Sequence, residues 1–286
     1  DDNSPGDRNI THQLYGGDRR MRLEQEILLG VGGVRALRLL GLQPTVWHIN
    51  EGHAAFMVIE RIRDFVAQGA DFATATEATA ANTVFTTHTP VPAGHDYFDP
   101  AMIRDYLGGF AAELGVPVDT LVALGHSGGR HDFNMTALAV RGSRFQNGVS
   151  RIHGSVSARI CADLWPQIDP AENPLDHVTN AVHVPTFLAT DWYETFDRFL
   201  GLGWQHRLTE QECWNRVHEI PDQIFWSVRQ SLKAQLLFMV RNRIRAQVLR
   251  NQGSEAHIDR LLRLADPANP NILTVGFARR FATYKR

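Results

Sequence analysis

The stretches PTVWHIN (44–50), EGHAAFMVIERIRDFVAQG (51–69) and NTVFTTH (82–88) decide the fold. PTVWHIN is short, β-branched and aromatic, follows Gly41, and reads as a strand. The next stretch has helical spacing and closes at Gly69, a residue type that ends helices. NTVFTTH reads as a second strand. Strand, helix, strand with short connections predicts a βαβ unit, a parallel sheet and an α/β fold. In such sheets ligands bind beyond the carboxyl ends of the strands. NEGH (50–53) and THTPVPAGHD (87–96) fall there, so the spacing predicts a site formed by these two turns.

Upstream, residues 20–40 carry apolar positions at helical spacing. GVGGV (30–34) superficially resembles a nucleotide-binding loop, but it lies inside that helical pattern and not directly after a strand. Downstream, helical runs are expected at 100–115 and 117–125, then over about 134–164. WPQIDPAENPLDHVTNAVHVPTF has four prolines and no helical period, and reads as a connection between domains. Residues 189–250 read as amphipathic helix. ILTVGFA (272–278) reads as a buried strand opening a second α/β unit.

The 286 residues are 43% hydrophobic, with 29 basic and 31 acidic side chains and a net charge of −2. This balance gives no strong pull towards nucleic acid or an anionic membrane, and about two domains fit the length. No stretch reaches the roughly 20 apolar residues of a membrane helix. DDNSPGD, at the start, is acidic and polar, unlike a secretory leader. Cys161 and Cys213 make neither a disulfide framework nor a zinc pattern, and a reducing, cytoplasmic setting fits them. Both ends read as cuts through a longer protein.

Glu51 and His53 sit at a strand-to-helix turn, where they either face a ligand or cap and pack the first turn. His88, at the end of the second strand, either binds a polar ligand or is a satisfied core histidine. His126 and His131 flank a Gly-rich turn beside Asp132, but no HExxH or Cys/His array accompanies them, so no metal is expected. Arg279, Arg280, Lys285 and Arg286 suit phosphate, bidentately for Arg and as a point charge for Lys; the alternative is a solvated basic tail.

Six pieces in order resemble the α-glucan phosphorylases, the shorter bacterial and archaeal type in particular. They are LYGGDRRMRLEQE (14–26), WHINEGHAAF (47–56), VFTTHT (84–89), FNMTALAV with SRFQNGVSRIHGSVS (133–157), VTNAVHVP (178–185) and ARRFATYKR (278–286). The fourth is the most specific. The resemblance implies a B-type glycosyltransferase architecture, two Rossmann-like domains across a cleft. Residues 1–179 would be the later part of the N-terminal domain and 180–286 the start of the cofactor-binding C-terminal domain, with the chain truncated at both ends. It implies phosphorolysis of α-1,4-glucan by inorganic phosphate to α-glucose 1-phosphate, with pyridoxal 5′-phosphate acting through its phosphate group.

By the same resemblance His88 is the pocket histidine that holds the transferred glucosyl unit. Arg280 binds the substrate phosphate. Glu51 and His53 line the anomeric side of the sugar, Asn180 meets its hydroxymethyl group and Tyr284 a hydroxyl. Arg279 and Lys285 lie near the cofactor phosphate, Arg279 standing where many relatives have Lys. The expected partners are a maltooligosaccharide or longer glucan and phosphate, with no nucleic acid and no membrane; a homo-oligomer is compatible. Two departures stand out. The segment between Tyr15 and RMRLEQE is too short for the active-site gate of animal enzymes. The cofactor's lysine motif, Glu-Ala-Ser-Gly-x-x-x-Met-Lys, is absent, and Lys233, in SLKAQ, does not match it. The isolated chain is therefore expected to be inactive. The rival expectations are a synthase-like glycosyltransferase using a nucleotide sugar and a non-catalytic glucan-binding piece.

Overall fold

The computed structural model describes residues 2–13, 16–129, 131–263, 265–269 and 271–278. They fall into two compact units, one ending at Asn180 and the other beginning at Ala181.

The first unit opens with α1 (Arg19–Ile27), a π-helical turn (Leu28–Gly32) and α2 (Gly33–Leu39), one continuous rod in the region where helical spacing is read. Asp18 caps it by accepting from the Met21 amide at 2.9 Å. Leu23, Val31 and Val34 are its buried residues in the core. Strand β1 (Trp47–Asn50) follows, then a 3₁₀ turn (Gly52–Ala54), α3 (Met57–Ala67), α4 (Phe72–Ala81) and β2 (Thr83–Thr86). β1 and β2 pair in parallel, Trp47 opposite Thr83 and Asn50 opposite Thr86, as the opening motif predicts. Arg61 of α3 is buried and pins this unit together. Its guanidinium donates to the Thr79 carbonyl, Thr83 Oγ1 and Asn82 Oδ1, and lies 4.9 Å from the Trp47 ring centroid.

Next come β3 (Tyr97–Phe98), α5 (Pro100–Leu114), α6 (Val118–Ala123), β4 (Phe133–Asn134), α7 (Met135–Arg141), β5 (Phe145–Gly148), α8 (Arg151–Ile160) and β6 (Leu175–His177). The main sheet runs β1-β2-β5-β6, all parallel, while β3 and β4 form a small antiparallel pair. Its core joins Ile49 and Phe85 from the strands to Phe56, Ile59 and Ile62 before and within α3, and to Leu107, Leu121 and Phe133.

Two sequence expectations are corrected here. The helical run over 134–164 is interrupted by β5, because Phe145–Gly148 pairs with β2 on one side and β6 on the other. The Pro-rich connection contains β6, which pairs with β5 through Leu175, Asp176 and His177. In both places long-range pairing overrides a weak local pattern.

The second unit is helical: α9 (Val184–Phe187), α10 (Thr190–Leu200), α11 (Gln211–Asn215), α12 (Asp222–Arg250) and α13 (Glu255–Leu262). The run over 189–250 is thus several helices with turns between them. Leu200, Trp204 and Cys213 form its small core, around which Phe196 and Trp214 stack edge-on against Trp204. Residues 272–278, expected as a buried strand, have no strand pairing among the described residues, and Leu273, Val275 and Phe277 are 86%, 81% and 78% exposed. An apolar run becomes a buried strand only beside a neighbour and beneath a covering layer. Cys161 and Cys213 are buried and not bonded to each other. No described helix is long and apolar enough to cross a membrane.

Candidate functional site

The carboxyl ends of β1, β2 and β5 meet at one set of polar residues. The Glu51 amide donates to the Thr86 carbonyl at 2.8 Å, and the Thr87 amide to the Asn147 carbonyl at 3.0 Å, so the three strands stay tied beyond their last paired residues. Thr86 Oγ1 donates to Asn147 Oδ1 at 2.9 Å and accepts from His48 Nε2 at 2.7 Å. The Glu51 carboxylate turns back over the β2 end. Its Oε2 accepts from the His88 amide at 2.8 Å and from Thr89 Oγ1 at 3.0 Å, and its Oε1 from Thr87 Oγ1 at 3.2 Å. The His88 imidazole is exposed, and its Nε2 donates to Asn50 Oδ1 at 2.6 Å. In the tautomer that donates from Nε2, the other ring nitrogen, Nδ1, is an acceptor.

The structure therefore brings Glu51 and His88 together, as the two-turn reading expects, and adds Asn50, Thr87 and Thr89. Asn180 is exposed; its amide donates to the Val149 carbonyl at 3.0 Å, one residue past the end of β5. Arg279, Arg280, Tyr284 and Lys285 lie outside the described residues.

His53 belongs to a second cluster, with α1 and the 87–98 segment. Its Nδ1 lies 3.1 Å from Asp96 Oδ2 and 3.3 Å from Glu26 Oε1. Arg22 completes the group, 2.8 Å from Glu26 and 3.0 Å from Asp96. Burial pushes the Glu26 carboxyl up to about 8, and proximity to Asp96 adds to this. The Asp96 and Glu26 hydrogen bonds hold the His53 imidazole at about 9. Asp96 is held below its ordinary value: burial opposes this, but bonds from His53, Glu26 and Arg22 win. Glu26, His53 and Asp96 could by geometry hold a cation. The Arg22 guanidinium already sits among them, and with Glu26 and His53 both protonated near neutral pH the cluster carries positive charge without an ion. A cavity of about 580 Å³ lies against this group, lined by Arg19, Arg22, Pro92, His95, Asp96, Tyr97 and Phe98.

A pH dependence follows, with its sign fixed by the direction of the shifts. Both Glu26 and His53 have folded-state pKa values above their ordinary ones. Each contributes stability that is complete below its unfolded value and is lost as pH rises through the folded one. Asp96 works oppositely, and its contribution is lost only in acid. The melting temperature is expected to fall between about pH 4.5 and pH 9, through Glu26 first and His53 at the upper end. Glu26→Gln, which cannot titrate, should flatten that fall; thermal melts of both forms across the range check it.

The i,i+4 spacing of Arg22 and Glu26 was visible in the sequence as a helical pair. Nothing local announced Asp96 as the third partner, since it arrives from beyond β2.

No family model matches the chain. Over 98% of its length it is 42% identical to glycogen phosphorylase of Mycobacterium tuberculosis (strain H37Rv). Over 99% it is 38% identical to maltodextrin phosphorylase of Thermococcus litoralis, and over its whole length 30% identical to glycogen phosphorylase of Aquifex aeolicus. The chain spans 33% of the first two relatives and 41% of the third.

Proposed function

The chain belongs to the α-glucan phosphorylase family, and from that premise we propose that the protein cleaves α-1,4-glucan with inorganic phosphate, releasing α-glucose 1-phosphate. On this reading the first unit is the later part of a Rossmann-like N-terminal domain. The second begins the C-terminal domain of a B-type glycosyltransferase architecture, and the protein works in the cytoplasm. The observation that carries the reading is the Asn50–Glu51–His88 cluster at the ends of parallel strands, in a chain this similar to phosphorylases.

His88 grips the glucosyl unit being transferred through Nδ1 and its main chain. Glu51 borders the anomeric side behind His88, His53 stands beyond it with its ring on Glu26 and Asp96, Asn180 takes the hydroxymethyl group, and Tyr284 a hydroxyl. Orientation of this kind can be worth several kcal/mol of barrier, ~7 or more in favourable cases. Arg280 binds the attacking phosphate. Arg279 and Lys285 face the phosphate of pyridoxal 5′-phosphate, whose chemistry when bound is to exchange a proton with the substrate phosphate. Two neighbouring phosphates repel, and guanidinium and ammonium groups offset that repulsion.

The described residues do not by themselves build a cofactor site. Lys233, the one lysine among them, lies in α12 and donates to the Ile272 carbonyl. The 286-residue chain alone is proposed to be inactive.

The test supplies maltoheptaose and phosphate to the whole protein containing this chain, and separately glucan with a nucleotide-glucose. Phosphate-dependent release of glucose 1-phosphate is expected. Glucan extension from the nucleotide-glucose without any phosphorolysis would overturn the reading, and sustained phosphorolysis by the 286-residue chain would overturn the inactivity.

A further inference from the structure

Glu51 has φ 65° and ψ 173°, a backbone conformation that side-chain-bearing residues rarely adopt. Holding it strains the backbone, and glycine would take it without that strain. A glutamate there must gain something through its side chain. Its carboxylate accepts from three consecutive residues: Thr87 Oγ1 at 3.2 Å, the His88 amide at 2.8 Å and Thr89 Oγ1 at 3.0 Å. Its own amide donates to the Thr86 carbonyl at 2.8 Å, so residues 86–89 are bound to it from both ends. Both carboxylate oxygens are engaged inward. The neighbouring Asn50 holds the His88 ring at 2.6 Å.

We propose that Glu51 is a positioning residue: its carboxylate, aimed by a strained backbone, fixes the main chain at His88 while Asn50 fixes the imidazole, so that Glu51 acts through His88 and not by touching the sugar. The turn at Glu51 leaves β1 and swings the side chain sideways onto the β2 end. An ordinary extended or helical φ would aim it along β1 or into the 3₁₀ turn instead. The strain is therefore the means by which one carboxylate reaches three donors on a neighbouring strand. The catalytic consequence rests on the phosphorolysis reading, whereas the structural one does not.

The experiment compares wild type with Glu51→Ala, Glu51→Gln and Glu51→Gly in two readouts. The first is amide hydrogen exchange at His88 in the intact protein. It should speed up by about tenfold or more in Glu51→Ala, with the amides within β1 and β2 changed little. The second is steady-state phosphorolysis. The Glu51→Ala kcat should fall by about tenfold, with the KM for phosphate changed by less than about twofold, since an orienting group acts on the barrier. Glu51→Gln keeps one acceptor for the His88 amide and should recover part of both losses. Glu51→Gly relieves the strain and should melt above Glu51→Ala, which keeps the measurement open if the alanine protein folds poorly. Wild-type exchange at His88 in both the Ala and Gly proteins would overturn the proposal. So would a raised KM for glucan with unchanged kcat, the signature of direct sugar contact. Faster exchange in a protein whose wild type makes no glucose 1-phosphate sustains the positioning role and sinks the phosphorolysis reading instead.

Discussion

Gly148→Val is expected to destabilise the first unit by about 3 kcal/mol or more, near or above the top of the usual range for overpacking. A Cβ at Gly148 would lie 2.8 Å from the Gly154 nitrogen and 2.9 Å from the Gly154 Cα. The obstacle is backbone, so no side chain can rotate out of the way. Gly154 faces the same limit one layer on: its Cβ would lie 3.0 Å from the His177 Cβ and 3.2 Å from the Asp176 carbonyl oxygen. β5, the start of α8 and β6 are thus stacked through two bare backbones, and valine at 148 must push α8 off the sheet. Between them, Ser150 caps α8 by accepting from the His153 amide at 3.1 Å, and His153 Nδ1 accepts from the Val149 amide at 3.1 Å. The stretch NGVSRIHG is therefore a tight strand-to-helix turn whose glycines and polar residues each have a packing or bonding reason. Denaturant unfolding of Gly148→Val and Gly148→Ala checks the prediction. Alanine should cost less than valine but remain clearly destabilising, and an alanine protein as stable as wild type would show that the strand and helix can separate freely.

How far such features can be read without coordinates depends on the range of the interaction that creates them. β1 and β2 were legible because PTVWHIN and NTVFTTH carry β-branched and aromatic residues and are bounded by turns, and because a helix of the right length lies between them. β5 was not. FQNG is half polar and has no β-branched residue, and only its two neighbours in the sheet make it a strand. β6 is three residues inside a proline-rich run, and the same holds for it. ILTVGFA shows the converse: strong local character with no strand partner among the described residues.

The site divides the same way. That NEGH and THT face each other follows from the βαβ pattern, and so does the meeting of Glu51 with His88. The left-handed φ of Glu51 carries no sequence signal, since nothing but a glycine would have advertised it. His53, like Glu51, read either as facing a ligand or as packed in the first helical turn. The 3₁₀ start sends its ring to Glu26 and Asp96 instead. The roles of Arg279, Arg280, Tyr284 and Lys285 rest on resemblance alone, because these residues lie outside the described ones.

The small β3–β4 pair links this site to the core, and a second large effect is expected there. Phe133 of β4 is fully buried and stacked on Phe56, ring centroids 6.1 Å apart and planes 5° from parallel. Its strand partner, Phe98, ends the segment that begins at His88. Phe133→Ala should cost about 3–5 kcal/mol, the range for removing a buried aromatic. The informative part is its coupling to Gly125. A Cβ at Gly125 would overlap the Phe133 ring carbons, so Gly125→Ala alone should destabilise by about 1–3 kcal/mol. In the Phe133→Ala background that ring is gone and the added methyl enters the space it leaves. The double variant should then be no less stable than Phe133→Ala, giving a coupling of about 1–3 kcal/mol opposite in sign to the single cost of Gly125→Ala. Additive losses in the double-mutant cycle would mean that the backbone at 125 cannot accept a side chain for reasons other than the ring. With the anchor removed, amide exchange across Tyr97 and Phe98 should also rise, because β3 is held by the pairing of Phe98 with Phe133 and of Tyr97 with Asn134.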